Sequence, residues 1–441
     1  MMRGINNFQE IDFNVAGKSM YDLAQRLYPV CRSITGNGVR ETLNILKEFI
    51  PLQIHEIPTG TKVFDWEIPD EWNIRDAWIK DPDGNKIVDF KKLNLHVLNY
   101  SIPVDQKVGL AELKEHVYTI PENPDWVPYR TSYYSRKWGF CMSHNQLAGL
   151  KDEDYHVHID SDLKPGSLTY GEYFIQGETD EVVLFSCHVC HPSLCNDNLS
   201  GITIATYLAG ILKDIKTRYS YLFLFIPGTI GSIAWLSINE DKVKNIKHGL
   251  VLSLLGDSTA FNYKKSRRGD AEIDKIMEYI LKDKKEAQIL EFSPYGYDER
   301  QYCSPGFNLA VGRLTRKPFG EFPEYHTSAD NLDFISANNL GASLNLLLKV
   351  VSVVEGNLKF INLSPNGEPQ LGKRGLYNAV GGSSHHKDYQ MALLWILNMS
   401  DGQNSMLDIA IKSGIEYETI VFCAGELIKT GLLQVEKSQT N

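Results

Sequence analysis

Three short runs, EVVLFSC at 181–187, YSYLFLFIPG at 219–228 and HGLVLSLLGD at 248–257, are apolar at nearly every position. A strand with one wet face alternates apolar and polar residues, so an unbroken run fits a strand covered on both faces. Helical patterns separate the runs, SGITIATYLAGILKD at 200–214 and SIAWLSINEDKV at 232–243. Strands alternating with helices predict an α/β fold, with a mostly parallel central sheet and helices on both faces.

The rest of the chain differs in texture. Residues 17–49 carry two helical patterns split by a Ser/Thr/Gly/Asn loop. Residues 57–127 turn to Pro, Gly, Asp and aromatics between short alternating runs, which predicts a small inserted β-rich domain. YHVHIDSDL and SLTYGEYFI then read as strands with which the central sheet begins, and NNLGASLNLLLKVVSVVEGNL as the long helix that ends the domain. After the Pro/Gly-rich connector LSPNGEPQLGKRG come three helical patterns and LLQVEK, the order of a winged helix-turn-helix. The expected organisation is a discontinuous catalytic domain of residues 1–56 and 128–360, an insert at 57–127, and a winged-helix domain at 375–441.

Charge narrows the partners. Forty-five Lys and Arg against 55 Asp and Glu leave a net charge of -10, which disfavours broad attachment to phosphate backbones or anionic membranes. No run of about 20 apolar residues stands out, and MMRGINNFQEIDFN lacks an apolar signal core, so a cytoplasmic location with no membrane partner is expected. Seven irregularly placed cysteines read as reduced thiols. A structural zinc site around Cys187 and Cys190 would need a second paired cluster, and none follows.

Chemistry concentrates in EVVLFSCHVCHPSLCNDNLSG, residues 181–201. A buried strand ends there in a polar loop bearing His188, His191, Asn196 and Asp197, and open α/β sheets place ligands beyond such strand ends. An imidazole and a carboxylate nine positions apart on a loop can converge on one divalent ion, and a nitrogen/oxygen set suits zinc. FPEYHTSADNLDFI adds Glu324, His326 and Asp330; LLGDS adds Asp257 just past an apolar strand; YGYDERQYCSPG adds Asp298, Glu299 and Arg300.

The order of these motifs resembles the zinc aminopeptidases with a co-catalytic metal pair, and more closely their bacterial aminopeptidase-like relatives found beside polysaccharide-biosynthesis genes. HVCHPSLCNDNLSG resembles the family's metal loop and EYHTSADNLD its closing histidine. The resemblance implies His188 as terminal ligand of one metal, Asp197 as the carboxylate between both, and His326 as terminal ligand of the other. Asp257 falls near the family's strand-end aspartate, although alignment on Gly256 selects Ser253.

Two departures stand out. The family's adjacent glutamates, one a general base and one a ligand, should follow the second strand, which here reads Phe225-Ile226-Pro227-Gly228-Thr229-Ile230-Gly231-Ser232. The aspartate that orients the first histidine is replaced by Cys190, leaving Asp330 or a main-chain carbonyl to accept from that ring. Glu299, Glu324 and Asp298 are the catalytic carboxylates that other loops offer in the glutamates' place. The resemblance thus implies one zinc ion held firmly, a second short of a ligand, and hydrolysis of an amide in a small peptide or amino-acyl conjugate. The alternative is a weakened relative that binds a ligand and signals through its tail. In YETIVFCAGELIKTG, Lys429 is the sole basic residue, so the tail is expected to serve protein contact or homo-oligomer formation ahead of nucleic acid.

Overall fold

The computed structural model describes residues 11–318, 320–376 and 385–436. The chain divides into two compact units, residues 11–347 and a second that begins at Leu348. Residues 1–10 of the expected catalytic domain, and 377–384 and 437–441 of the expected winged helix, lie outside the described residues.

In the first unit the three apolar runs become strands Val182–His188, Ser220–Ile226 and Ile246–Leu252. Two of them are buried along their whole length, as their composition requires, and the third is buried at all positions but Lys247. Val182–His188 pairs in parallel with both of the others, and Ile246–Leu252 pairs in parallel with Val311–Thr315. Antiparallel strands flank this centre: Ser167–Ile175 and Gln53–Pro58 on one side, Asn262–Lys264 on the other. The chain leaves Val182–His188 for its neighbour on one side and returns on the other. Such a switch of direction opens a crevice at the strand's carboxyl end, where His188 stands.

The inserted β unit runs further than the sequence suggested. Asp154–Lys164, expected in the central sheet, is a central strand of a separate four-stranded sheet, between Glu71–Lys80 and Val104–Gly109. Its burial alternates from residue to residue, the signature of a sheet with one wet face, and that alternation was visible in DYHVHIDSDLK. A second hairpin, Lys62–Val63 with Trp66–Glu67, also comes from the insert.

The second unit pairs Lys359–Asn362 with Asp401–Ser405 and Leu433–Val435. Helices His385–Met399, Met406–Ser413 and Tyr417–Lys429 complete a winged helix. Ser405 and Asp408 close a reciprocal cap on the middle helix, and Gly414 ends it at φ 70°. Because Lys359–Asn362 belongs to this sheet, the unit starts before the connector taken as its boundary. Ala337–Gly356 is not an unbroken apolar run, yet with mean hydropathy 1.3 over its best window it is long and apolar enough by length and composition to cross a membrane. Since 61% of that window is buried within the protein, we read it as a core helix.

Candidate metal centre

The loop after Val182–His188 is pinned by nearly every polar side chain it carries. Asp330 accepts the Asn196 amide at Oδ1 (2.6 Å) and the Asp197 amide at Oδ2 (2.9 Å). The Asn196 side chain donates to Asp257 Oδ2 (2.8 Å) and accepts from the Gly256 amide (2.8 Å). Asn198 donates to the Leu252 carbonyl (3.1 Å), tying the loop to the neighbouring strand end. Buried Arg32 donates to the carbonyls of His191 (2.9 Å) and Leu27 (2.8 Å), which fixes the first turn of the loop. Burial brings that guanidinium down to about 10.

These restraints present Asp197, fully buried, to three imidazoles. His188 Nε2 lies 2.7 Å from Oδ1 and His326 Nε2 3.0 Å from Oδ2, while His191 Nδ1 is 3.9 Å from Oδ1. Ligand atoms of His188, His191 and Asp197 all fall within 4.8 Å of one another. The His326 contact has hydrogen-bond distance without hydrogen-bond alignment, so both atoms remain unsatisfied although buried. Two polar atoms close together but not aimed at each other are arranged as ligands of a third centre would be. Burial alone would raise the Asp197 carboxyl, yet His191, His188 and His326 hold it well below its ordinary value. Burial likewise drives the His191 imidazole well below its ordinary value, against the opposing pull of Asp197.

Aromatic rings fix the histidines. Tyr297 stacks on His188 with centroids 4.7 Å apart, and Tyr325 on His326 at 3.9 Å. The Tyr297 hydroxyl is within hydrogen-bond distance of Asp197 Oδ1 (3.2 Å) and of the Tyr325 hydroxyl (3.0 Å), and its one proton can serve either. His326 adopts φ 56°, unusual for a side chain with a Cβ, and its carbonyl accepts the Tyr129 amide at 2.7 Å. That bond helps to hold a conformation that costs energy. His188, His191 and His326 open onto a cavity of about 280 Å³, walled further by Ile34, Ile233, Tyr134 and, from the inserted hairpin, Trp66.

The structure thus brings together His188, Asp197 and His326, and it commits Asp257 and Glu299 to other partners. Asp257 spends its carboxylate on Asn196 and on Thr259, whose amide donates at 2.7 Å; it supports the loop instead of joining the cluster. Glu299 is fully buried against Lys264 Nζ (2.9 Å) and Arg313 (3.6 Å), an ion-paired carboxylate and not a base facing the cavity. The Glu324 carbonyl accepts from the Thr327 hydroxyl and amide. Asp330 serves the loop's main chain; the His188 Nδ1 neighbour is Asn198 Nδ2, at 3.4 Å. His191, named in the loop from the sequence but given no ligand role there, joins the cluster; the residues that sequence reasoning passed over are the rings of Tyr129, Tyr297 and Tyr325.

Asp298 is the remaining carboxyl. It is buried behind Gly228, whose missing Cβ would lie 3.5 Å from Oδ2, and it accepts from Ser232 (2.9 Å). Burial raises it to about 6, with His188 and Ser232 opposing. The folded value exceeds the unfolded ~3.9, so the native state binds more protons between those limits and this group destabilises the protein as pH climbs from about 4 to about 6. Asp298→Asn is expected to be more stable than the parent at pH 7, by up to about 3 kcal/mol, with the advantage gone near pH 4. An equal shift at both pH values in thermal melts would count against that carboxyl's raised value.

Comparison with known proteins places these features in context. Residues 21–357 match a family model described as "Domain of unknown function (DUF4910)", and 358–435 match one described as "winged helix-turn-helix". A Clostridium acetobutylicum protein named "Putative polysaccharide biosynthesis protein with aminopeptidase-like domain" is 51% identical, covering 98% of this chain and all of that one. A crystal structure of a "putative peptidase" from Clostridium acetobutylicum superposes with TM-score 0.94 at 50% identity, over 99% of this chain and all of that one. A zinc aminopeptidase from Bacillus subtilis shares the fold at TM-score 0.56 and 12% identity, over 77% of this chain and 94% of that one.

Proposed function

The chain belongs to the family described as a domain of unknown function (DUF4910), and on that premise we propose that it is an aminopeptidase-like metallohydrolase acting on an amide of a small peptide or amino-acyl conjugate. The observation that carries this reading is Asp197, buried with one oxygen toward His188 and the other toward an unsatisfied His326 nitrogen. The nitrogen/oxygen donor set and the two orphaned atoms fit zinc, which His188, Asp197 and His326 would hold, with His191 taking up part of the role of the missing glutamate. Bound there, zinc supplies Lewis-acid polarisation of a carbonyl and a more acidic water. Tyr297 and Tyr325 keep two imidazoles in place by stacking, and the aromatic wall keeps bulk water from the amide.

No carboxylate lines the cavity among the described residues. A missing general base typically costs about 10²–10⁴ in rate, so turnover is expected to be slow. The same observation favours a second reading, a ligand-binding relative without turnover. Assay of the full chain, with zinc occupancy measured, on a panel of aminoacyl amides and their N-acetyl forms separates the two. We expect slow hydrolysis that disappears in His188→Ala; no hydrolysis at full zinc loading leaves only the binding reading. For the winged helix we propose protein contact. Helix Tyr417–Lys429 exposes Phe422 and sets Glu418 and Glu426 against Lys429, a poor surface for phosphates. Tight, salt-sensitive retention of duplex DNA in a gel shift would argue the reverse.

A further inference from the structure

The cavity beside the three histidines is walled, among the described residues, by apolar side chains, aromatic rings, imidazoles, glycines and Thr229; no Asp, Glu, Lys or Arg reaches its surface. Each charged group nearby is set back from that surface. Asp197 is buried behind the imidazoles, Asp298 lies behind Gly228 and holds Ser232, and Glu299 is paired with Lys264. A protonated α-amine entering this space would lose its water and find no carboxylate exposed on the cavity surface to pair with, and a cation on the histidines would repel it further. At the mouth, Trp66 and Tyr134 stand 5.6 Å apart, 47% and 58% exposed, and would shed that exposure over an apolar or planar group. Ile34 and Ile233 continue the apolar wall inward.

We infer that this cavity selects amino-acyl compounds whose amine is itself acylated, and discriminates against a free amino terminus. The selectivity deepens the hydrolase reading and depends on it only for the fate of the bound amide. The volume of about 280 Å³, roughly nine waters at ~30 Å³ each, suits a single N-acylated residue.

The test uses the full-length, zinc-loaded protein with N-acetyl-L-leucinamide and L-leucinamide as probes, followed by calorimetry and by tryptophan fluorescence. At pH 7 the acetylated probe should bind at least roughly tenfold more tightly, because a free α-amine titrates near 7.7–8.0 and is mostly charged. Raising the pH to about 9.5 should narrow the gap by strengthening leucinamide alone. Trp66→Ala should weaken the acetylated probe, and Tyr134→Glu, at an exposed rim position, should move the preference toward the free amine. Equal or tighter binding of leucinamide at pH 7, or no binding of the acetylated probe, overturns the selectivity. Zinc content measured on the same samples separates the two ideas. Retained zinc with leucinamide preferred sinks the selectivity alone; absent zinc with the acetylated probe preferred sinks the metal reading alone.

Discussion

Asp197→Asn is expected to lower zinc affinity by at least about 100-fold, the largest functional effect of any single substitution in this chain. Changing a partner behind a metal ligand typically costs 10–100-fold, and here the ligand itself loses its charge. Among the described residues, Asp197 is also the carboxylate whose oxygens face the imidazoles of this cluster, 2.7 Å from His188 and 3.0 Å from His326. Asparagine preserves the shape and leaves the Asp197 amide free to donate to Asp330, so the loop should stay folded. Competition with a chromogenic chelator gives the affinity, and circular dichroism checks the fold. Parent-like zinc retention by this variant would mean that the histidines bind the ion without the carboxylate, or that it binds elsewhere.

Lys264→Met should produce the largest loss of stability, about 3–5 kcal/mol, by stranding a carboxylate in the interior. Lys264 and Glu299 are 3% and 0% exposed, and the ammonium donates to Glu299 at 2.9 Å. Burial already lowers the Lys264 pKa, with Glu299 opposing, so the pair is held by mutual compensation. Replacing both partners, as Lys264→Met with Glu299→Leu, should recover part of the loss, since no carboxylate is then stranded, although Arg313 also loses its neighbour at 3.6 Å. Urea unfolding followed by tryptophan fluorescence reads both variants. If Glu299 were instead a proton acceptor for the reaction, Lys264→Met would alter rates while leaving the unfolding midpoint nearly unchanged.

The parts of this molecule legible in its sequence are those in which one local run carries both the structural and the chemical signal. Val182–His188 is such a run: its unbroken apolarity fixes it at the sheet centre, and centrality puts His188 at the crevice. Asp197 follows on the same loop, and His326 stands in a polar stretch that closes back on it. The carboxylates were misplaced because sequence spacing does not show which buried charge has a partner. Glu299 faces Lys264, 35 positions away, and Asp257 faces Asn196, 61 positions away. The stacking of Tyr297 and Tyr325 on the histidines depends on loop conformation, for which composition gives no signal. Asp154–Lys164 is a different kind of miss: its alternating pattern was readable, but its position next to the apolar runs outweighed it.

The central proposal is that His188, Asp197 and His326 share one cation. Diffraction from crystals grown with zinc, recorded on both sides of the zinc absorption edge, tests it directly. The prediction is an anomalous peak bonded at about 2.0–2.2 Å to a nitrogen of His188 and an oxygen of Asp197. Anomalous signal confined to other histidines, such as the outward pair His156 and His158 beside Asp105, with none at Asp197, would contradict it.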